Sequence, residues 1–531
     1  MKAVQKTCIS LILLPNNFNV CFIFLQVSPV HAKAPRKLTM HDLVYDLAKI
    51  IAADEVLVMD ANKPTTWDKA NEHYCRHAQL VNYHKRTEIF KHIPCKIRTL
   101  CFRECPEMQL PRKAFSQTSY IRILDLSGLS NEEQSTPSNP VLPSSIRRLM
   151  LLGYLDVSGF PIISLPKSFH TLQNMQSLIL SNCSLEILPA NIGSLQKLCY
   201  LDLSRNSNLN KLPSSVTDLV ELYFLNLSGC AKLEELPESI NNLKCLQHLD
   251  ISGCCALQKL PGKFGSLAKL SFVNLSSCSK LTKLPDSLNL ESLEHLILSD
   301  CHELEQLPED LGNLYRLEVL DMSDCYRVQV LPKTFCQLKH LKYLNLSDCH
   351  GLIQLPECFG DLSELQSLNL TSCSKLQSLP WSLCNMFNLK HLNLSYCVSL
   401  ESLPSSLGYL RLQVLDLTGC YNMHGLPDSI SNMSSLTLLN TATGSECVFH
   451  KTQTIKKHLN LPGTVEHDVH EIENADFSSI VELGRLRCRE LEVRHLENVE
   501  RLEDARKANL RDMVELRWLK FSWELEKCGQ G

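Results

Sequence analysis

The stretch YFLNLSGCAKLEELPESI (Tyr223–Ile240) returns as HLDISGCCALQKLPGKF from His248 and as FVNLSSCSKLTKLPDSL from Phe272. Each copy places two aliphatic residues two apart, a cysteine three further on, and Leu-Pro beyond it. Side chains two apart share one face of an extended strand, so the aliphatic pair marks a buried face and the residues between them an open one. A unit of about two dozen residues cannot bury such a face alone, and stacking on similar neighbours is the physical solution.

The Leu-Pro signal recurs with its proline at Pro143, Pro166, Pro189, Pro213, Pro237, Pro261, Pro285, Pro308, Pro332, Pro356, Pro380, Pro404 and Pro427, always 23 or 24 residues apart. Between the prolines each unit reads L-x-x-L-x-L-x-x-C, as in Leu222, Leu225, Leu227 and Cys230. This is the leucine-rich-repeat pattern. It predicts an α/β solenoid, a horseshoe with a concave parallel β-sheet and an irregular or short-helical convex side. Proline suits the convex entry because it cannot sit in a central strand. Strand centres are expected near Leu100, Leu124, Leu155 and Leu178 and then at regular steps to Leu415. Two units, at LPDSLNLESL and LPSSLGYLRL, lose one residue on the return side. The polar insertion LSNEEQSTPSNPV reads as a loop.

The position after each strand is Cys183, Asn206, Cys230, Cys254, Cys278, Cys301, Cys325, Cys349, Cys373, Cys397 and Cys420. Cys and Asn interchange there because both donate hydrogen bonds, where the chain leaves the sheet and buried carbonyls need donors. Zinc would need four ligands converging on one point, not one per coil. Neighbouring thiols that persist point to a reducing compartment.

Net charge is −4 with a pI near 6.6 over 531 residues, which supplies no general pull toward nucleic acid or an anionic membrane. The first 34 residues carry a basic start, two apolar runs and Ala32-Lys33-Ala34, superficially like a secretory signal, but PNNFN interrupts them. No run reaches the ~18 apolar residues of a membrane span. The chain contains no G-x-x-x-x-G-K-[ST], G-x-S-x-G or H-E-x-x-H, so no catalytic constellation is expected. His73, Cys75, His77 and His84 cluster in sequence, as do Cys95, Cys101 and Cys105, without paired zinc-ligand spacing. No metal site and no cofactor are expected.

Recognition must then come from exposed strand positions. One column reads Ser177, Tyr200, Phe224, His248, Phe272, His295, Val319, Tyr343, Ser367, His391 and Val414. Its rings, Tyr200, Phe224, His248, Phe272, His295, Tyr343 and His391, are candidate partner contacts, since rigid rings supply contact area at low entropic cost. The neighbouring Asp/Asn column reads as a hydrogen-bonded, solvated ladder. Asp300, Asp324 and Asp348 align in three successive units and would favour a basic partner.

Upstream, KLTMHDLVYDLAKIIAADEVLVMD puts Leu43, Leu47, Ile50 and Ile51 on one face of a helix beginning near His41. With Met40, His41 and Asp42 ahead of the repeats, this resembles the junction in plant nucleotide-binding leucine-rich-repeat disease resistance proteins. The tail from Leu486 to Glu524, with L-E-N-V, D-A-x-x-A-x-L and L-x-F-x-W, resembles later repeats of their coiled-coil class. The resemblance implies that His41 would lie near the phosphates of bound ADP. The phosphate-binding loop is absent from the chain, however, and His41 reads as a vestigial helix-start residue.

The expected organisation is an irregular or signal-like segment 1–36, a winged-helix remnant and linker 37–94, a solenoid 95–440, an irregular connector 441–485 and further irregular repeats 486–531. The implied function is a non-enzymatic, cytoplasmic recognition module of a plant immune receptor. It would bind a pathogen effector or guarded host protein and, in a full-length receptor carrying a nucleotide-binding module, regulate an ADP/ATP switch. Two alternatives stay open. One is a secreted or cell-surface binding protein, in which the N-L-[ST] sequons at Asn226, Asn274, Asn345, Asn369 and Asn393 would carry glycans. The other is a signalling scaffold.

Overall fold

A computed structural model describes residues 75–82, 90, 93–105, 110–129 and 142–441 in full. It also describes the backbone of strands at Leu11–Asn16, Asn19–Phe24, Lys37–Thr39, Val56–Asp60, Thr464–Asp468, Glu490–Arg494 and Trp518–Phe521. The chain divides into two units, Met1–Asp321 and Met322–Gly531.

In the first unit a parallel sheet grows one strand per repeat, from Thr99–Arg103 through Ile123–Asp125, Tyr154–Asp156, Ser177–Ile179, Tyr200–Asp202, Phe224–Asn226, His248–Asp250, Phe272–Asn274 and His295–Ile297 to Val319–Asp321. Register follows the leucines: Leu201 lies opposite Leu225, and Leu225 opposite Leu249. In the second unit the same construction runs from Tyr343–Asn345 through Ser367–Asn369, His391–Asn393 and Val414–Leu417 to Leu438–Thr441. The expected strand centres Leu100, Leu124, Leu155, Leu178 and Leu415 all fall inside strands.

On the opposite side most coils return through a short 3-10 helix. Pro213, Pro332 and Pro380 precede theirs with φ of −66°, −63° and −64°. Proline holds that angle without an N–H to satisfy. Its carbonyl is the first acceptor of the turn, taking the Val216 N–H at 3.0 Å and the Phe335 N–H at 3.0 Å. The unit that lost a residue at LPDSLNLESL has no 3-10 turn there, yet keeps Leu288 and Leu290 buried. A full turn is dispensable on this side provided the apolar residues still reach the core.

The cysteine ladder behaves as its register predicts. Cys230 Sγ donates to Leu203 O at 3.3 Å, Cys254 Sγ to Leu227 O at 3.3 Å and Cys278 Sγ to Ile251 O at 3.3 Å. In the second unit Cys373 Sγ donates to Leu346 O at 3.2 Å and Cys397 Sγ to Leu370 O at 3.0 Å. Each thiol thus ties its coil to a strand-end carbonyl of the coil before. Burial pushes the Cys230 and Cys397 thiols up to about 12, so they remain protonated donors.

Asn206 does more. Its Nδ2 donates to Leu180 O at 2.8 Å and Leu203 O at 2.7 Å, and its Oδ1 accepts the N–H groups of Cys183 at 3.1 Å and Leu185 at 2.9 Å. The coil before it is one residue shorter between cysteine and Leu-Pro, Cys183-Ser184-Leu185 against Cys230-Ala231-Lys232-Leu233. Where Cys230 N–H bonds to Leu227 O within its own turn at 3.1 Å, Cys183 N–H reaches instead to Asn206. Only a side chain that both donates and accepts serves there.

Three features depart from the expected organisation. Strands Val56–Asp60 and His77–Val81 pair in parallel with each other and with Thr99–Arg103, so the repeat sheet begins inside the segment 37–94. Leu11–Asn16 pairs antiparallel with Asn19–Phe24, which pairs antiparallel with Lys37–Thr39, giving the N-terminal segment regular strand backbone. Thr464–Asp468, within the expected connector, heads a parallel trio with Glu490–Arg494 and Trp518–Phe521. The helix expected from His41 lies outside the described residues.

Candidate recognition surface

The open face of each strand carries two side chains, and the structure gives each column a distinct job. In the Asp/Asn column the side-chain oxygen turns back onto its own coil. Asn226 Oδ1 accepts the Ser228 N–H at 2.9 Å, Asp250 Oδ1 the Ser252 N–H at 2.9 Å, and Asn393 Oδ1 the Ser395 N–H at 2.9 Å. The Ser252 and Ser395 hydroxyls donate to the same oxygens at 2.7 Å. These are Asx turns that release the chain from the strand. The hydrogen bonds of this column therefore run mostly within each coil. Asn440 Nδ2 to Asp416 Oδ2, at 2.9 Å, is a bond between coils. Burial pushes the Asp202 carboxyl up, while donation from Ser204 and Asn226 pulls against it.

The turn also explains the sequons. Asn or Asp, then an aliphatic core residue, then Ser or Thr is the order in which this turn recurs, and Asp202-Leu203-Ser204 and Asp416-Leu417-Thr418 build it as Asn226-Leu227-Ser228 does.

The aromatic column is a stack. Ring centroids lie 4.2 Å apart between Tyr200 and Phe224, 4.4 Å between Phe224 and His248, and 4.3 Å between His248 and Phe272, with interplanar angles of 7°, 8° and 4°. Strand spacing near 4.8 Å brings in-register rings on adjacent parallel strands to these distances. At His295 the ring tilts by 43° and moves to 6.1 Å from Phe272.

Exposure along the column is uneven. Tyr200 and Phe224 are 5% and 4% exposed and belong to an apolar cluster with Cys101, Ile123, Tyr154 and Ile179, flanked by Tyr223. Two of the expected contact residues are therefore packed away and offer a partner little area. His248, Phe272 and His295 are half-buried, His391 is exposed, and Tyr343 is 50% exposed. The usable rings lie at Tyr343 and His391 in the second unit and, in part, at His248 through His295 in the first.

Burial between two phenyl rings lowers the His248 pKa from 6.5 to about 4, with Asp250 opposing weakly. Its folded pKa lies below the unfolded one, so the stabilisation is complete above pH 6.5 and is lost as pH falls toward 4. The rings leave His248 neutral where an unfolded chain would take a proton. Between pH 7.5 and 5.0 the native chain should lose about 1–2 kcal/mol more stability than His248→Phe, after allowance for solvent screening. Thermal melts of both proteins at the two pH values measure it, and parallel losses would refute it.

Asp300, Asp324 and Asp348 have φ of +59°, +60° and +58°. Their column also holds Gly159, Asn182, Gly229, Gly253 and Gly419, together with Ser277, Ser372, Arg205 and Tyr396, all at positive φ. Asp, Asn and Gly are the residues that tolerate left-handed backbone best, so the alignment of three aspartates has a conformational cause. Their carboxylates are half-buried: Asp300 Oδ2 accepts from Ser277 Oγ at 3.2 Å and Asp324 Oδ1 from the Tyr326 hydroxyl at 3.0 Å. The predominance of Gly, Asn, Asp and Ser in the column, interrupted at Arg205 and Tyr396, is a readable signal for this conformation.

Other exposed rings follow the ladder. Tyr326 stacks on His350 at 5.3 Å and 3°, each one residue after a ladder cysteine. Tyr396, after Ser395, and Trp381, at 70% exposure, add further aromatic surface to the second unit. Among the described residues no group of three or more His, Cys, Asp or Glu side chains could hold a metal ion, and no helix is long and apolar enough to cross a membrane. His41 lies outside the described residues.

Comparison with known proteins agrees with this geometry. The leucine-rich repeat region model matches residues 96–222, 201–322 and 289–380, and the leucine-rich repeat model matches 388–410 and 411–433. The chain belongs to the leucine-rich-repeat proteins, a protein-interaction fold that is typically a non-enzymatic scaffold. It is 28% identical over 157 residues to the Arabidopsis thaliana disease resistance protein At3g14460, a match covering 27% of this chain and 10% of that protein. It is similar in fold to the Leptospira interrogans leucine-rich-repeat protein LIC12759, with a TM-score of 0.55, 23% identity, and coverage of 79% of this chain and 98% of that one. The Arabidopsis receptor kinase HAESA ectodomain, solved with a peptide hormone ligand, gives a TM-score of 0.41 at 18% identity, covering 83% of this chain and 78% of that one.

Proposed function

We propose that the chain is the protein-recognition part of a cytoplasmic plant immune receptor, binding a pathogen effector or a guarded host protein through its strand face. The observation that carries this reading is the exposure of rigid rings at Tyr343 and His391, on a frame whose leucines, cysteines and Asx turns are already committed to structure. Local similarity to a plant disease resistance protein supports the immune context. In a full-length receptor a nucleotide-binding module would supply the ADP or ATP, with His41 at its junction, and contacts from the repeats would restrain the switch by favouring one of its states.

The test is association of the chain with an isolated nucleotide-binding module from a related receptor. Tyr343→Ala and His391→Ala together should weaken it at least tenfold, as for buried aromatic anchors, with the melting curve unchanged. Phe224→Ala should instead act through folding. No association would reject the receptor part of the reading, and binding indifferent to Tyr343 and His391 would reject their role in the contact with the module.

One observation favours a secreted or cell-surface protein instead: Cys336 and Cys358 form a disulfide. Glycans found at Asn226, Asn274, Asn345, Asn369 or Asn393 of the native protein would decide for it.

A further inference from the structure

Cys336 and Cys358 are joined on the 3-10 side of the second unit, 22 residues apart with Cα atoms 5.9 Å apart. Cys336 lies in the 3-10 turn Lys333–Gln337, which leads into strand Tyr343–Asn345. Cys358 immediately precedes the turn Phe359–Asp361, which leads into Ser367–Asn369. Those two strands pair in register, so the disulfide joins the backs of two coils whose fronts are already held by the sheet.

The same register recurs along the chain and is closed elsewhere without a covalent bond. Relative to the Leu-Pro proline, it pairs the fourth residue of one coil with the second of the next. At Gly360 and Ser382 the backbones approach so closely that a β-carbon on the glycine would collide with the serine carbonyl, and Gly360 N–H donates to Ser382 Oγ at 3.1 Å. Gly408 and Ser429 repeat the arrangement, with the amide bond again 3.1 Å. In the first unit Thr217 Oγ1 and Ser239 Oγ share a hydrogen bond of 2.8 Å. One coil after the disulfide's own pair the register brings Cys384 to Ser406, and Cys384 is a free thiol. Stacking therefore does not depend on the disulfide, and the coils have ordinary means of closing this contact.

We propose that Cys336–Cys358 is a reversible thiol–disulfide site that locks the backs of two coils when oxidised and frees them, still folded, when reduced. Access is one-sided: Cys336 is buried and Cys358 half-exposed. A small dithiol reaches Cys358, its thiolate bonds to Cys358 Sγ, and the bond to Cys336 breaks with the electron pair leaving on Cys336, which takes a proton. The second thiol of the reagent then displaces Cys358 as a thiol, so the dithiol supplies both electrons and both protons and becomes a cyclic disulfide. Oxidised glutathione runs the exchange the other way, through a mixed disulfide at Cys358 that Cys336 resolves. The ladder thiols take no part, because they are buried. The device acts on the coils that present Tyr343 and Ser367, where freedom at the back lets the strand face adjust to a partner.

The test equilibrates the full folded chain in glutathione buffers of varied ratio, then maps Cys336 and Cys358 by alkylation and peptide mass. The expected result is interconversion between bridged and alkylated forms with the thermal transition retained. Amide exchange in residues 335–338 and 359–362 should rise at least threefold on reduction, with strands 343–345 and 367–369 still protected. A Cys336→Ser, Cys358→Ser chain should fold and exchange at the reduced rate in every buffer. The proposal is overturned if the pair yields to dithiol only as the chain unfolds, if it stays as two thiols in oxidised glutathione, or if exchange rates ignore the redox state.

Discussion

Asn206→Leu is expected to destabilise the first unit by about 3–5 kcal/mol, the largest effect of any single polar substitution in the ladder. The leucine fits the volume but leaves three fully buried backbone groups without their partner, the carbonyl of Leu180 and the N–H groups of Cys183 and Leu185, and leaves the Leu203 carbonyl with only the Cys230 thiol. Each lost bond leaves a desolvated group whose penalty is about 1–3 kcal/mol, partly relieved by relaxation of the turn. Asn206→Cys should be milder, because a thiol still donates to Leu180 O as Cys230 does to Leu203 O, yet costlier than nothing, because it cannot accept two N–H groups. Repeat stacks open locally, so urea titration should be read together with amide exchange at residues 183 and 185. A loss below ~1 kcal/mol for the leucine variant would show that these four bonds contribute little.

Gly360→Val should destabilise the second unit by about 2–4 kcal/mol. The obstacle is backbone, the carbonyl of Ser382, and a carbonyl fixed in the backbone of a neighbouring coil cannot swing aside as a long side chain would. Gly262→Val is the matched control: no atom lies within 4 Å of its would-be β-carbon, and its effect should stay within about 0.5 kcal/mol. Melting curves of the two variants measure the contrast, and equal shifts would mean that the approach of the coils is not what selects glycine at 360.

The frame was legible in the sequence because it is periodic. Leu201, Leu225 and Leu249 announce their own registration, and the exchange of Cys for Asn announces a donor. Even the choice of Asn at 206 could have been read from the residue missing after Cys183. The strands at Val56–Asp60 and His77–Val81 are hidden because neither VLVMD nor HAQLV is followed by the ladder cysteine and Leu-Pro that label later coils. The recognition surface was legible by column but not by position. Alternation tells which side chains face outward, whereas the packing of Tyr200 and Phe224 against Tyr154 and Ile179 depends on which residues share the face across several strands. Asp300, Asp324 and Asp348 show their charge in the sequence, but not the left-handed backbone that favours them there. The Cys336–Cys358 pair is not legible in the repeat because its partners occupy different positions within their coils.

The thiol row has a kinetic consequence. While the coils are stacked, Cys230, Cys254, Cys278 and Cys301 are protonated and shielded, chemically silent at neutral pH. Once the coils part, their acidity returns to that of ordinary cysteines, and reactive sulfurs spaced along the chain meet those of other molecules. Heat in air then leads to a cross-linked network, and recovery of the native chain after cooling depends on how much reductant was present rather than on how stable it was before.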